Sequence, residues 1–193
     1  MKHLAKRAPV KSCFTMRSTP FGPVTVLWSV ETEQPKISRV LLSRPGVSAK
    51  GEVSVLLSDS TRCSCSEIDV VADRIGAFLN GEDIRFSLGV VCMDGCSEFQ
   101  QHVLRAEHGI PRGSVSTYQR IAMHMGCRNG ARAIGNALAK NPFPIIIPCH
   151  RAIRTDRSLG GYQGGLGMQR SLLEMEGIGF DDSGRVVTEG FFY

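Results

Sequence analysis

The segment Pro144-Ile145-Ile146-Ile147-Pro148-Cys149-His150-Arg151 holds the residue types best suited to chemistry. An apolar, strand-like run delivers a thiol and an imidazole side by side. The proline just before them restricts the backbone and gives the thiol a fixed address. A free thiol has a pKa of about 8.5, so only a few per cent is thiolate at neutral pH. His150, the cation of Arg151 or a helix N-terminus could raise that fraction. On these residues alone two readings stand: a nucleophile beside its base, or a buried, inert cysteine beside a structural histidine.

Other clusters carry less. Gly160, Gly161, Gly164 and Gly165 lack the spacing of a phosphate loop and read better as a lid over a pocket. Cys63-Ser64-Cys65 and Cys92-x3-Cys96 are not completed to a zinc site by the spacing of the five histidines. The chain has seven cysteines, an odd number, and its basic start, Met1 to Arg7, leads into no apolar segment. A reduced, intracellular chain without a secretory signal is expected.

The elements that must position Cys149 follow from periodicity. Cys13 to Arg17 and Val24 to Val30 are β-rich runs around the turn cluster Ser18 to Pro23, which predicts a hairpin. Ile37 to Leu42 and Ile84 to Val91 read as further strands, and Gly46 to Gly51 as a loop. Ser66 to Leu79 has helical spacing, with Ser66 as N-cap and Asn80-Gly81 as the stop. From Ser97 the pattern turns helical. Glu98 to Glu107 is anchored by Phe99, Val103 and Leu104, Thr117 to Met125 ends at Gly126, and Asn129 to Lys140 follows. Two short helices around a glycine-containing turn suggest helix-turn-helix geometry. In the last helix Ala133, Ile134, Ala137 and Leu138 are expected inward. Arg132, Gly135, Asn136 and Ala139 are expected outward, a long cation among small residues.

With 193 residues and 42% apolar side chains, one domain or two small ones with a packed core are expected. The longest apolar runs are far short of the roughly 18 residues of a membrane span. The net charge of +5 is unevenly spread. Residues 1–94 carry 12 basic and 10 acidic side chains, residues 95–178 carry 10 and 5, and residues 179–193 carry 1 and 3. The basic excess of the middle segment fits a polyanion-facing surface.

Pro148-Cys149-His150-Arg151 is similar to the active-site signature of the O6-alkylguanine-DNA alkyltransferases (methylated-DNA–protein-cysteine methyltransferases). Ile110-Pro111-x-Gly113-x-Val115-x-Thr117-Tyr118 resembles the family's approach to its helix-turn-helix, and Ala131-Arg132-Ala133-Ile134-Gly135-Asn136-Ala137 its recognition helix. Asn141-Pro142-x-Pro144 precedes the signature; Gly161-Tyr162-x-Gly164-Gly165-Leu166 and Leu172-Leu173-x-x-Glu176-Gly177 follow it in order. The resemblance covers about residues 95–178, with a weaker echo at Ser18 to Gly22.

The resemblance implies an α/β (α+β) fold. A small ribonuclease-H-like α/β domain (1–94) would precede a mainly helical, winged-helix-like DNA-binding and catalytic domain (95–178) and a tail (179–193). It implies transfer of an alkyl group from guanine O6 in duplex DNA, with O4-alkylthymine as a further substrate, onto the protein's own cysteine. The protein would act once, as a monomer, without cofactor or zinc, in a prokaryotic cytoplasm or a eukaryotic nucleus. Cys149 would be the nucleophile, His150 its base through a water, Glu176 the group holding that histidine, and Tyr118 the hydrogen-bond or proton donor to the departing guanine. Asn141 would tie the helix-turn-helix to the active-site segment. Arg132 would fill the place of a base flipped out from the minor groove, with Ala131, Gly135, Asn136 and Arg151 also at the DNA. Pro144, Ala152, Gly160, Tyr162 and Gln163 would line the pocket.

Two departures stand out. Glu107 occupies a place where the family usually has an apolar residue, which suggests a more exposed helix end. Ala152 stands where valine is common, a mild change for a residue acting through its carbonyl. Competing functions are a lesion binder of the alkyltransferase-like kind, which lacks the reactive cysteine; a cysteine hydrolase, which needs an oxyanion site; and a helix-turn-helix regulator in which Cys149 is incidental.

Overall fold

The computed structural model describes residues 12–30, 34–44 and 60–193, so the loop expected over 46–51 and the basic start lie outside the described residues. Strands β1 (Ser12–Arg17) and β2 (Val24–Ser29) form the expected antiparallel hairpin. Its turn closes through Gly22 N–H donating to the Thr19 carbonyl at 3.0 Å. Gly22 has a φ of 93°, and a Cβ there would stand 2.9 Å from Ser43 Cβ, so this turn requires glycine. β3 (Lys36–Leu41) pairs antiparallel with β2, and β4 (Ser60–Arg62) parallel with β1, giving the order β3-β2-β1-β4. Every residue of β2 is buried, as suits a central strand.

Helix α1 (Ser66–Leu79) lays Ile68, Val71, Ala72, Ile75, Phe78 and Leu79 inward. It ends at Asn80 as expected, with Gly81 at φ 101°. Its N-cap is Cys65 and not Ser66. The Ser66 hydroxyl is turned to Glu67 (2.9 Å), while Asp69 accepts from Cys65 N–H (3.2 Å) and Ser64 Oγ (2.6 Å). Asp69 also pairs with Arg17 at 3.0 Å and so straps β1 to the helix.

The strand expected over Ile84 to Val91 is absent. The segment holds one 3-10 turn, Leu88–Val90, and a single bridge from Val91 to Ile37. Ile84, Phe86, Leu88 and Val90 do alternate inward, but side chains take the carbonyls a ladder would use. Lys36 Nζ donates to Gly89, Arg74 to Arg85 (2.7 Å) and His108 Nε2 to Phe86 (2.8 Å).

Helix α2 (Glu98–His108) is capped by Ser97, whose hydroxyl accepts from Gln100 N–H. Val103 and Leu104 anchor it at 0% exposure, whereas Phe99 is exposed. β5 (Ser116–Thr117) leads into α3 (Tyr118–His124), with Thr117 as N-cap, and α4 (Ala131–Ala139) follows beyond Gly126. In α4 Ile134, Ala137 and Leu138 face inward; Ala133, expected with them, is exposed because it sits at the edge of that stripe. β6 (Ala152–Ile153) pairs parallel with β5 and leads to α5 (Gly165–Met175) and a small hairpin, β7 (Gly179–Phe180) with β8 (Val186–Val187). One hydrophobic cluster runs from Val24 and Ile75 through Leu104 and Ile134 to Cys149 and Leu172. Among the described residues no helix is long and apolar enough to cross a membrane.

Candidate active site

The segment between α4 and β6 is pinned from within. Asn141, 1% exposed, accepts from Phe143 N–H (2.9 Å) through Oδ1. Its Nδ2 donates to the Ile147 carbonyl (3.2 Å) and to Cys149 Sγ (3.2 Å). Ile145 stands at φ 74°, a region that costs a β-branched residue about 1–3 kcal/mol. A bridge between Pro144 and Ile147 and full burial hold it there. The chain then tightens into a one-turn 3-10 helix, Cys149–Arg151, that brings a thiol, an imidazole and a guanidinium together in succession.

His150 is 0% exposed, and its Nε2 lies 2.9 Å from Glu176 Oε1 at the end of α5. Burial would push the Glu176 carboxyl up. The hydrogen bond from His150 and the bonds and charge of Arg151 outweigh it and hold the group at about 2. An ionised Glu176 only accepts, so His150 Nε2 carries the hydrogen and Nδ1 is left as the acceptor. Nδ1 is buried and has no hydrogen-bond partner. Burial also lowers the His150 pKa against the pull of Glu176, which keeps the ring neutral and leaves Nδ1 with its lone pair. Phe78 and Tyr162 stand edge-on to this ring, at 5.9 and 6.1 Å between centroids.

Arg151, expected at the DNA, is buried and turned inward. Its Nε and Nη2 donate to the two oxygens of Glu176 (2.9 and 2.8 Å) and its Nη1 to the Ile110 carbonyl (2.6 Å). Its charge is spent on that carboxylate and is not offered to phosphate. Nor does it activate the thiol: burial pushes Cys149 up to about 12, opposed by the Asn141 hydrogen bond, so the resting sulfur is protonated.

Tyr118 opens α3 with its phenol against the lid. A Cβ on Gly160 would stand 1.9 Å from Tyr118 Oη, so only glycine fits beneath it. Burial raises this phenol to about 12, Glu107 and Cys149 add to the rise, and the Gly161 backbone hydrogen-bonds to it. Tyr162 is buried, with its hydroxyl unpartnered. Gln163 Nε2 donates to the Asn141 carbonyl (2.5 Å), which ties lid to segment. Beside α4 a cavity of about 400 Å³ opens between Arg44, Ala139, Gly161, Tyr162, Gln163 and Gly165. Pro144 and Ala152 are buried nearby in the chain, on either side of Cys149.

The structure thus gathers Cys149, His150, Glu176, Tyr118, Asn141, Tyr162, Gly160 and Gln163, and leaves Ala131, Arg132, Gly135 and Asn136 on α4. Arg132 and Asn136 are exposed there. Nothing lies within 4 Å of where a Gly135 Cβ would be, so internal packing does not demand that glycine.

One residue escaped the sequence reading and another was misplaced by it. Gln169, 1% exposed on α5, donates to the carbonyls of His150 (3.1 Å) and Ala152 (3.2 Å) and so fixes the backbone beside Cys149. Its signal was a polar residue on the apolar stripe of Met168, Leu172 and Leu173. Glu107, expected near solvent, is 0% exposed, and neither carboxyl oxygen has a hydrogen-bond partner. It falls in the stripe of Val103 and Leu104, which α2 buries.

Residues 98–178 match the family described as 6-O-methylguanine DNA methyltransferase, DNA binding domain. The methylated-DNA–protein-cysteine methyltransferase of Methanothermobacter thermautotrophicus is 45% identical over 114 residues, 59% of this chain and 64% of that protein. The Haemophilus influenzae protein of the same name is 39% identical over 116 residues, 60% and 64% of the two chains. The chain therefore spans 64% of the length of these two curated relatives. Mycobacterium tuberculosis OGT solved in complex with DNA superposes with a TM-score of 0.66 at 30% identity, covering 85% of this chain and 92% of that one. The O6-methylguanine methyltransferase of the same organism gives 0.68 at 28%, covering 86% and 92%.

Proposed function

The chain belongs to the 6-O-methylguanine DNA methyltransferase family, and from that premise we propose that it repairs alkylated DNA by moving the alkyl group from guanine O6 onto Cys149. The observation that carries this reading is the buried relay from Asn141 through Cys149 and His150 to Glu176 and Arg151.

The step is an in-line displacement. A bond forms between Cys149 Sγ and the alkyl carbon while the bond from that carbon to O6 breaks, and the electron pair stays on the purine. The thiol proton leaves toward the lone pair of His150 Nδ1, through a water, and Tyr118 Oη–H donates to the purine, so guanine departs neutral. No acyl group is involved, and no oxyanion hole is needed. Burial that disfavours a thiolate favours the neutral thioether product. Thioethers resist hydrolysis and the site offers no second nucleophile, so each chain acts once.

Access requires extruding the nucleotide, at a cost of a few kcal/mol. Arg132, exposed on α4 among Ala131, Gly135 and Asn136, fills the gap from the minor groove, and the low profile at Gly135 lets the helix approach closely. The flipped guanine enters between Tyr162 and Pro144, under the Gly160–Gln163 lid and beside Ala152. On this reading residues 95–178 are a winged-helix-like catalytic and DNA-binding domain. Residues 1–94 are a ribonuclease-H-like domain whose α1 contributes Phe78 to the wall around His150, and residues 179–193 are a tail. The protein binds as a monomer, with sequence-tolerant, salt-sensitive affinity.

Incubation with duplex DNA carrying labelled O6-methylguanine tests the reading. One methyl increment per chain on the Cys149 peptide is expected, and none in Cys149→Ser. Sustained turnover would point to a hydrolase, and binding without modification to a lesion binder or regulator. Arg132→Ala is expected to slow repair of duplex DNA by about tenfold or more while sparing the free base, since a lost wedge leaves the cost of flipping uncompensated. Equal loss on both substrates would remove the wedge role.

A further inference from the structure

Glu107 is a buried acid that the proposed reaction does not use. It sits in the last turn of α2, fully enclosed, with both oxygens unpartnered. An ionised carboxylate in such a place is costly unless it is paired and hydrogen-bonded. The cation whose charge reaches it, Arg151, already commits Nε and Nη2 to Glu176 and Nη1 to Ile110. Burial accordingly pushes the Glu107 carboxyl up to about 8, against the pull of the Arg151 charge.

The groups facing Glu107 come from three other parts of the fold. Helix α2 packs against the 3-10 turn, which carries the Cys149 thiol and the Arg151 guanidinium, and against α3, which opens with the Tyr118 phenol, and the C-terminal Tyr193 reaches α2 beside Glu107. Tyr193 Oη donates to the Ala106 carbonyl (2.7 Å), one residue from Glu107. A negative charge on Glu107 makes all three of Cys149, Tyr118 and Tyr193 harder to deprotonate. Two of these are the groups that give up protons in the displacement.

We propose that Glu107 is an electrostatic gate on the thiol: protonated, it lets Cys149 release its proton to His150, and ionised, it sets a negative charge beside Cys149 and Tyr118 that holds both protons in place. Glu107 makes no hydrogen bond to the sulfur and acts as a positioning charge through those two side chains. This extends the alkyl-transfer reading, because it gives that reaction an alkaline limit near the point where Glu107 loses its proton. An unhindered thiol would instead keep gaining reactivity as pH rises.

The gate can be read without DNA. The full chain and Glu107→Gln are treated with iodoacetamide between about pH 6.5 and about pH 9.5, and the increment on the Cys149 peptide is followed by mass spectrometry. Equal rates within about twofold are expected at the acid end. Near pH 9.5 the variant should be about tenfold faster, as one unit of thiol pKa implies. Parallel profiles, or a variant slower throughout, would overturn the gate; Glu107→Leu repeats the test with an apolar side chain. The unmodified protein gives an answer of its own: the infrared band of a protonated carboxylic acid should persist at about pH 7, above the ordinary carboxylate range, and vanish by about pH 9.5. Absence of that band at pH 7 would also overturn the proposal. Failure of methyl transfer from DNA would sink the repair reading and leave these results standing.

Discussion

Glu176 and Glu107 are two buried carboxyls that both feel the charge of Arg151, and their surroundings are opposite. Glu176 receives three hydrogen bonds, from His150 Nε2 and from Arg151 Nε and Nη2, and stays ionised down to about 2. Glu107 receives none and holds its proton up to about 8. Burial pushes both upward; what separates them is whether donors were built around the oxygens. One acid is thereby an anion at ordinary pH that orients the His150 ring, and the other a neutral group that titrates within reach of physiological pH.

The contrast fixes the sign of two arms in the stability profile. An ordinary carboxyl in the unfolded chain titrates at about 4.3. Glu176, depressed in the fold, contributes stability above that point and loses it as pH falls toward 2. Glu107, raised in the fold, contributes below that point and loses it as pH rises toward 8. These two residues alone place the stability maximum near the ordinary carboxylate pKa.

The most damaging way to break the contrast is Glu176→Gln. It strands the Arg151 charge and frees the imidazole, so it should cost about 3–5 kcal/mol in denaturant unfolding and slow transfer to Cys149 by about a hundredfold or more. A smaller loss, about 1–3 kcal/mol, is expected for Arg151→Lys, which keeps a cation but cannot span both oxygens of Glu176. It should shift the acid arm of the profile upward in pH. Glu107→Leu, the mildest, should raise stability by about 1–3 kcal/mol at pH 8, because it removes an unpartnered polar group. It should raise it less at pH 5 and so flatten the alkaline arm. Equal gains at both pH values would mean that Glu107 does not titrate in the fold.

The hairpin, the sheet's third strand, α1 and the helices from α2 to α4 were legible because their apolar periods are plain and Asn80-Gly81 is an unambiguous stop. The grouping of Cys149, His150 and Arg151 was legible because they are contiguous, and that of Glu176 because its motif keeps a fixed order after them. What failed depended on neighbours far away in sequence. Ile84 to Val91 shows strand-like burial without a ladder because Lys36, Arg74 and His108 take its carbonyls. Arg151 looks like a surface cation until α5 brings Glu176 against it. Glu107 looks exposed by its type, and the helix period that buries it was outweighed by the habit of placing charges outside.

Arg112 donates to the carbonyls of Gly81 and Glu82, just past α1, and of Met175 at the end of α5, at 3.0, 3.0 and 2.8 Å. Helix ends carry carbonyls that their own ladder cannot satisfy. Here one side chain caps such an acceptor at the end of α5 and ties it to the turn that follows α1, nearly a hundred residues earlier in the chain. The sheet-bearing half and the half that carries Cys149 share one hydrophobic cluster as well as this clasp, so they should melt together in one calorimetric peak, and Arg112→Ala should lower that peak before it moves the chemistry.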